Sequence, residues 1–259
     1  MSWIITGKEA GSLGLLDQYG GAAAAYSLRN LSVYNTDPVV RVRRSSDNTE
    51  QDFTAEQVTD GTLTGFCGAA NGFVRIWYDQ SVNGKHATQT TTANQPQIVS
   101  SGSLILQNGK PGLSFNGTSH VISVASASTS QPLSEFLVYT ATKNNSPPLG
   151  TTSSVPALVS RRSSGEYIMF AGTAIAGGVH GSDQKLAAAF FDGANSKAYW
   201  NNSLILSGNP GSGFDLSQIG GNLSDRFQGT IQEVVVYDFN QIGSRVAIQN
   251  NINAHFSIY

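Results

Sequence analysis

About a dozen short apolar runs of alternating polarity, set apart by tight-turn dipeptides, constrain this chain more than any other feature. The clearest is Phe73-Val74-Arg75-Ile76-Trp77-Tyr78, where the period of two puts Val74, Ile76 and Tyr78 on one face and Phe73, Arg75 and Trp77 on the other. The same pattern predicts strands at Leu104–Leu106, Gly112–Phe115, Val121–Val124, Glu135–Thr142, Ala157–Ser160, Tyr167–Ala171, Leu186–Phe191, Lys197–Trp200, Leu216–Ile219 and Gly229–Tyr237. Asn108-Gly109, Asn116-Gly117, Asp192-Gly193 and Asn201-Asn202 lie between them and suit the positive backbone angles of hairpin turns. Only 12% of the residues are charged, so Ser, Thr, Asn and Gly supply the surface polarity, a mix that favours strands and turns over solvent-facing helices. The expectation is an all-β fold: a sandwich of two packed antiparallel sheets with short peripheral helices.

Two segments depart from the β pattern. Ala22 to Arg29 follows a Gly-Gly pair with strong helix formers and predicts a short helix. Gln241 to Phe256 spaces Ile242, Val246, Ile252 and Phe256 at near-helical intervals behind Asn240 as a cap. Ser-Leu-Ile-Leu occurs at 103–106 and again at 203–206, but the flanks do not align, so no repeat architecture is expected. One domain is expected at residues 17–259. Residues 1–16, with Trp3, Ile4 and Ile5 interrupted later by glycines, read as an N-terminal arm or attachment strand.

The formal net charge is −2, from 15 basic and 17 acidic residues, which gives no field to hold a polyanion, and no nucleic-acid partner is expected. "RVRRSSDNTEQDF", Arg41 to Phe53, is the one concentrated basic stretch. Arg41 and Arg43 alternate with Val40 and Val42, and Ser45-Ser46-Asp47-Asn48 turns the chain back so that Glu50 and Asp52 face the arginines across a hairpin. Arg161-Arg162 ahead of Ser163-Ser164-Gly165-Glu166 repeats the arrangement. Cys67 is the lone cysteine, so no intrachain disulfide supports the fold. The first residues show neither a basic leader nor a long apolar run, and a soluble, unprocessed protein with no membrane partner is expected.

From Tyr26 onward, "YSLRNLSVYNTDPVVRVRRSSDNTEQDF" and then "GFVRIWYDQSVNGKHATQ" resemble the N-terminal part of the α-L-arabinofuranosidase B catalytic domain. The shared order is a small-residue helix, a "VRRSSD" hairpin, a strand ending in "YDQS", and a loop matched here by Asn83-Gly84-Lys85-His86-Ala87-Thr88-Gln89. The second half, with "KLAAAFFDGANSKAYWNNSLIL" and "FQGTIQEVVVYD", is similar to laminin-G-like sandwiches of concanavalin A type. Together these resemblances imply a concanavalin A-like jelly roll from Asp17 to the C-terminus. The "GGAAAAYS" segment and the closing "INAHFSIY" also resemble structural proteins of tailed, cyanophage-like bacteriophages.

Chemistry has little linear signal. Glu50, Asp52 and Glu56 resemble the acidic strand of laminarinase-type enzymes, yet the spacing is one residue too long and Thr54-Ala55-Glu56-Gln57 reads as a helix start. The arabinofuranosidase resemblance implies acids in the second half, where Glu166, Asp183, Asp192, Asp215, Asp225 and Glu233 lack the family's surrounding motifs. Asp79 reads as an Asx-turn residue, and Trp77 and Trp200 as core aromatics. His86, His120, His180 and His255 have no metal-ligand spacing, and no nucleophile elbow, phosphate loop or EF-hand order occurs. No catalytic, metal or cofactor residue is assigned, and no carbohydrate-binding residue is identified. The resulting expectation is a non-enzymatic virion structural protein of capsid-decoration or knob type. It would be assembled in the host cytoplasm, display a lectin-like domain toward glycans, attach to other virion proteins through residues 1–16 and form a homo-oligomer. It would be silent on aryl arabinofuranosides and β-glucans. A tail-associated receptor-binding protein and an arabinofuranosidase-like glycoside hydrolase are the alternatives.

Overall fold

The computed structural model describes residues 13–125, 130–144, 147–151, 160–161, 165–212, 216–222 and 225–259. Trp3, Ile4, Ile5 and the rest of the expected arm up to residue 12, the expected strand before Ser160, residues 162–164 and Asp215 lie outside the described residues. Leu15 and Leu16, assigned to the arm from sequence, belong to a short helix α1, Leu15–Gln18, and Leu15 is fully buried.

The strands form an antiparallel β-sandwich. One layer contains β1 (Ala24–Ser27) and the strands Gln228–Tyr237, Leu133–Ala141, Lys185–Phe191, Ser196–Trp200 and Ser203–Gly208. The other is built around β2 (Val40–Arg44), β3 (Glu50–Phe53) and β4 (Gly72–Trp77), with Gln97–Ser100 beside β4. The main core lies between the layers, where Val40, Val42, Val74, Trp77 and Ile98 meet Leu137, Tyr139, Ala187, Val234 and Val236. A second core covers the outer face of the first layer. There Phe136, Val138, Phe190 and Val235 pack under Ile248, Ile252 and Phe256 of the C-terminal helix, Arg245–Phe256. The alternation along Leu133–Ala141 thus feeds two cores, odd residues to one and even to the other, which explains why the whole strand is buried.

Most expected strands are present within a residue or two of their predicted limits, and the turn residues behave as expected: Asn108-Gly109 and Asn201-Asn202 both have two consecutive positive φ angles. Gly229 is required by a close approach, since its φ is 145° and a Cβ there would lie 1.9 Å from the Thr140 carbonyl oxygen.

Three expectations fail for physical reasons. The predicted helix at Ala22–Arg29 is β1, paired with Glu233–Val236. Ala24 and Tyr26 enter the main core while Ala22 and Ala25 enter the second, so two-sided burial in the sheet overrides the helix preference of alanine. The alternation along β4 breaks at Arg75: Ile76 pairs with Arg41 and Val74 with Val42, leaving Arg75 as the extra residue of a β-bulge. The bulge re-phases the strand so that Val74 and Trp77 both reach the core. In the terminal helix, preceded by a 3-10 turn at Ile242–Ser244, Val246 faces solvent, and Ile248 and Gln249 take the buried positions; Asn240 caps Ile242 as expected.

Glu135 is the anomaly of the core. Its cross-strand neighbours are Ala189 and Val236, with Ala198 and Ala24 one strand further out, and neither carboxylate oxygen has a hydrogen-bond partner. Burial raises its pKa well above the ordinary 4.5 and so favours the neutral acid. Below 4.5 the side chain is protonated in both folded and unfolded chains; as pH rises, only the unfolded chain ionises freely, so this residue's contribution falls until the folded pKa is passed. In urea unfolding from pH 4.5 upward, stability of the native protein should therefore decline relative to Glu135→Gln. Parallel pH profiles for the two proteins would contradict this placement.

Candidate active-site cleft

The segment Tyr78 to Gln89, which carries the sequence resemblance, is the stitching of one end of the sandwich. Asp79 is buried, and its carboxylate accepts four hydrogen bonds: Oδ1 from the Ala25 and Ser81 backbone N–H groups at 2.9 Å each, Oδ2 from the Ser81 hydroxyl at 2.8 Å and the Lys85 N–H at 3.0 Å. The i to i+2 bond to Ser81 is the expected Asx turn. The Gln80 amide donates to the Ser27 and Arg29 carbonyls, both at 3.0 Å, and accepts from the Leu31 N–H at 2.9 Å. Asn83 donates to the Ala22 and Ala23 carbonyls at 2.9 and 3.2 Å. Tyr26 donates to the Lys85 carbonyl. A carboxylate with four donors has no capacity left for a substrate, so Asp79 fixes β1 to the end of β4.

Beside this clamp lies a cleft of about 460 Å³, lined by Asn35, Asp37, Pro38, Asp52, Tyr78, Asp79, Gln80, Val82, Gly84 and His86. Asp52 comes from β3, directly across from Arg41 as the hairpin reading expects. Arg41 grips it with two bonds, Nε to Oδ1 at 2.8 Å and a terminal nitrogen to Oδ2 at 2.7 Å, and the Tyr78 hydroxyl donates to Oδ1 at 2.7 Å. The Arg41 hydrogen bonds, with Tyr78 adding to them against the opposing effect of burial, hold the Asp52 pKa below the carboxylate range. Burial, then the hydrogen bond to Asp52 and its charge, push the Tyr78 hydroxyl up to about 12. Asp37 also lines the cleft, is exposed, and its carboxylate has no hydrogen-bond partner among the described residues.

The other acids do not converge. β3 ends at Phe53, Thr54 caps helix α2 (Ala55–Thr59) through the Gln57 N–H and Gln57 side chain, and Glu56 rides on that helix, so the strand triplet does not exist. Glu50 lies 3.5 Å from Arg75. In the second half, Asp183 pairs with Lys185, Asp192 accepts from Asn240, and Glu233 is buried against Arg29 at 2.8 Å. A second cleft of about 440 Å³ between α2 and the C-terminal helix is lined by Arg29, Glu56, Lys110, Gln232, His255 and Phe256, with one carboxylate among its walls. Burial, reinforced by the Arg29 charge, lowers His255 to about 4. Among the described residues no group of His, Cys, Asp and Glu side chains could hold a metal ion, and no helix is long and apolar enough to cross a membrane.

No protein-family model and no curated protein sequence matches the chain. Solved structures do. A GH54 α-L-arabinofuranosidase soaked with a cyclic sulfate inhibitor superposes with a TM-score of 0.71 at 17% identity. An arabinofuranosidase complexed with arabinofuranosyl-α-1,2-xylobiose gives 0.68 at 19%. A Glu-to-Gln mutant of a GH54 α-L-arabinofuranosidase soaked with 4-nitrophenyl α-L-arabinofuranoside gives 0.69 at 19%. Each match covers 93% of this chain, which spans 65% of the length of those proteins. At such identity the likeness shows the fold alone, a β-sandwich shared with those enzymes. It corrects the expectation of a non-enzymatic capsid-decoration or knob protein, and with it the assignment as no enzyme: these three matched structures are of arabinofuranosidases, and nothing in these comparisons supports a virion protein.

The arginines of the opening hairpin are not equivalent, although the hairpin reading has Arg41 and Arg43 alike facing acids on the neighbouring strand. Arg41 and Asp52 are about one-third exposed, whereas Arg43 is buried, bonded to Gln95 at 2.7 Å and Asn48 at 2.8 Å, and lies over the Phe73 ring. Arg43 stays on the Arg41 face of β2 but is covered there by Thr92, Gln95 and the Phe73 ring, and Glu50, its cross-strand neighbour, pairs with Arg75 instead. Arg41→Ala should cost about 0–1 kcal/mol in chemical denaturation. Arg43→Ala strands the buried Gln95 acceptor and should cost about 1–3 kcal/mol. Equal losses would contradict the assignment of Arg43 to the interior.

Proposed function

We propose that this protein is a glycoside hydrolase acting on an α-L-arabinofuranoside in the cleft beside Tyr78 and Asp52, with its acids in the first half of the chain and not in the second half that the arabinofuranosidase resemblance implies. The observation that carries this reading is that, besides the saturated Asp79, two carboxylates of different character line one open cleft. Cleaving a glycosidic bond needs one carboxylate that stays ionised to support positive charge at the anomeric carbon and a second carboxyl group to pass a proton to the leaving oxygen. Asp52, held ionised by Arg41 and Tyr78, suits the first role. Asp37, on the same cleft and free of hydrogen-bond partners among the described residues, is the carboxyl group left for the second. The ligands named for the structures that share this fold, an arabinofuranosyl xylobiose and an aryl arabinofuranoside, set the substrate class to be tried.

Release of 4-nitrophenol from 4-nitrophenyl α-L-arabinofuranoside tests the reading. Turnover should be measurable with the native protein and fall about 10²–10⁴-fold in Asp37→Asn and in Asp52→Asn, the range for loss of a positioned acid or base. Melting of each variant controls for folding. A folded native protein with no turnover would sink the reading; turnover untouched by both substitutions would move the chemistry elsewhere.

A further inference from the structure

The same cleft contains a hydrogen-bond donor whose direction is fixed by the backbone. The Asp79 N–H donates to His86 Nδ1 at 3.2 Å. A ring nitrogen that accepts from a backbone N–H carries no proton of its own in that geometry, so the neutral imidazole bears its proton on Nε2, on the far side of the ring. Nε2 has no partner among the described residues, and His86 lines the cleft. The ring stands edge-on to Tyr78, with centroids 5.0 Å apart at 84°, and Tyr78 is bonded to Asp52. The donor and the carboxylate are therefore held on one frame. Asp52 Oδ2 accepts only from Arg41, which leaves it room to accept from a ligand hydroxyl.

Val82 forms a lip of this cleft. It is 97% exposed and has a φ of 68°, a left-handed conformation that is costly for a β-branched residue. The bonds from Asp79 and Asn83 on either side hold the loop in that state. The result presents an apolar side chain at the edge of the cleft.

Taking the cleft as the substrate site of the preceding section, we propose that His86 Nε2–H is the specificity-determining donor that binds a ring hydroxyl of a neutral furanosyl unit. A donor on one side and an acceptor on the other suit a diol, whose hydroxyls both give and take hydrogen bonds. The charges of Asp37 and Asp52 disfavour a uronic acid.

Two measurements on the full chain test this. Long-range ¹⁵N–¹H correlation spectra should show the His86 proton on Nε2, and a proton on Nδ1 would overturn the proposal. In calorimetric titration with methyl α-L-arabinofuranoside, His86→Phe, which keeps the aromatic packing, should weaken binding about tenfold. His86→Gln, which restores a donor near the Nε2 position, should recover most of the loss. Unchanged affinity in His86→Phe overturns the proposal even if the native protein hydrolyses arabinofuranosides. The predicted loss and rescue in a protein that binds but does not hydrolyse would uphold it while rejecting the hydrolase reading.

Discussion

The strand Gln228–Tyr237 has one continuous neighbour, Leu133–Ala141, but two in succession on its other side, Leu113–Asn116 and then β1. The rest of the structure depends on how that junction is closed. Gln232 sits between the two part-strands and donates to the carbonyls of Gln107, Lys110 and Pro111, which ties the Asn108-Gly109 hairpin to the central strand. Glu233, next to it, is buried and accepts from Ser27 and from Arg29, and Arg29 reaches on to Asn251 of the C-terminal helix. A buried ion pair contributes little over an apolar substitute, but leaving one partner alone is strongly unfavourable. The pair therefore acts mainly on placement, joining β1, the central strand and the terminal helix in one register.

Once β1 is set by this junction on one edge, Asp79, Gln80 and Asn83 clamp its other side to the end of β4. The cleft is a by-product of that clamp. Its floor includes the end of β4, its Asp52 wall is the hairpin carrying Arg41, and its lip is the Ser81–Lys85 loop bent by the Asp79 carboxylate. A saturated carboxylate makes the scaffold, and one beside it, Asp52, keeps acceptor capacity toward the cleft. Burial and bonding decide between them, although both are aspartates within a few residues of an apolar strand.

The strand pattern was legible because alternation is local: Leu133–Ala141 and Gln228–Tyr237 announce themselves by β-branched and aromatic residues between turns. β1 was not, since four alanines and a leucine favour helix locally, and the partner that makes them a strand lies some two hundred residues away. The Arg75 bulge was equally hidden, because one extra residue inverts a face without changing composition, and so was the burial of Arg43, because Thr92 and Gln95, which cover it, come from a separate segment. The cross-strand match of Arg41 with Asp52 could be read from the hairpin. That Asp52 also meets Tyr78, and shares a cleft with Asp37 and His86, could not, because these residues come from separate segments brought together by the sheet. A search along linear acidic motifs therefore found no pair and pointed away from an enzyme.

The most direct measurement is a crystal structure of the full chain, carrying Asp52→Asn to slow turnover, soaked with 4-nitrophenyl α-L-arabinofuranoside. This account predicts the furanose ring in the cleft, with one hydroxyl within hydrogen-bond distance of His86 Nε2, the ring face against Val82 and the anomeric carbon toward position 52. A furanose bound instead between α2 and the terminal helix, beside Arg29 and His255, would contradict it.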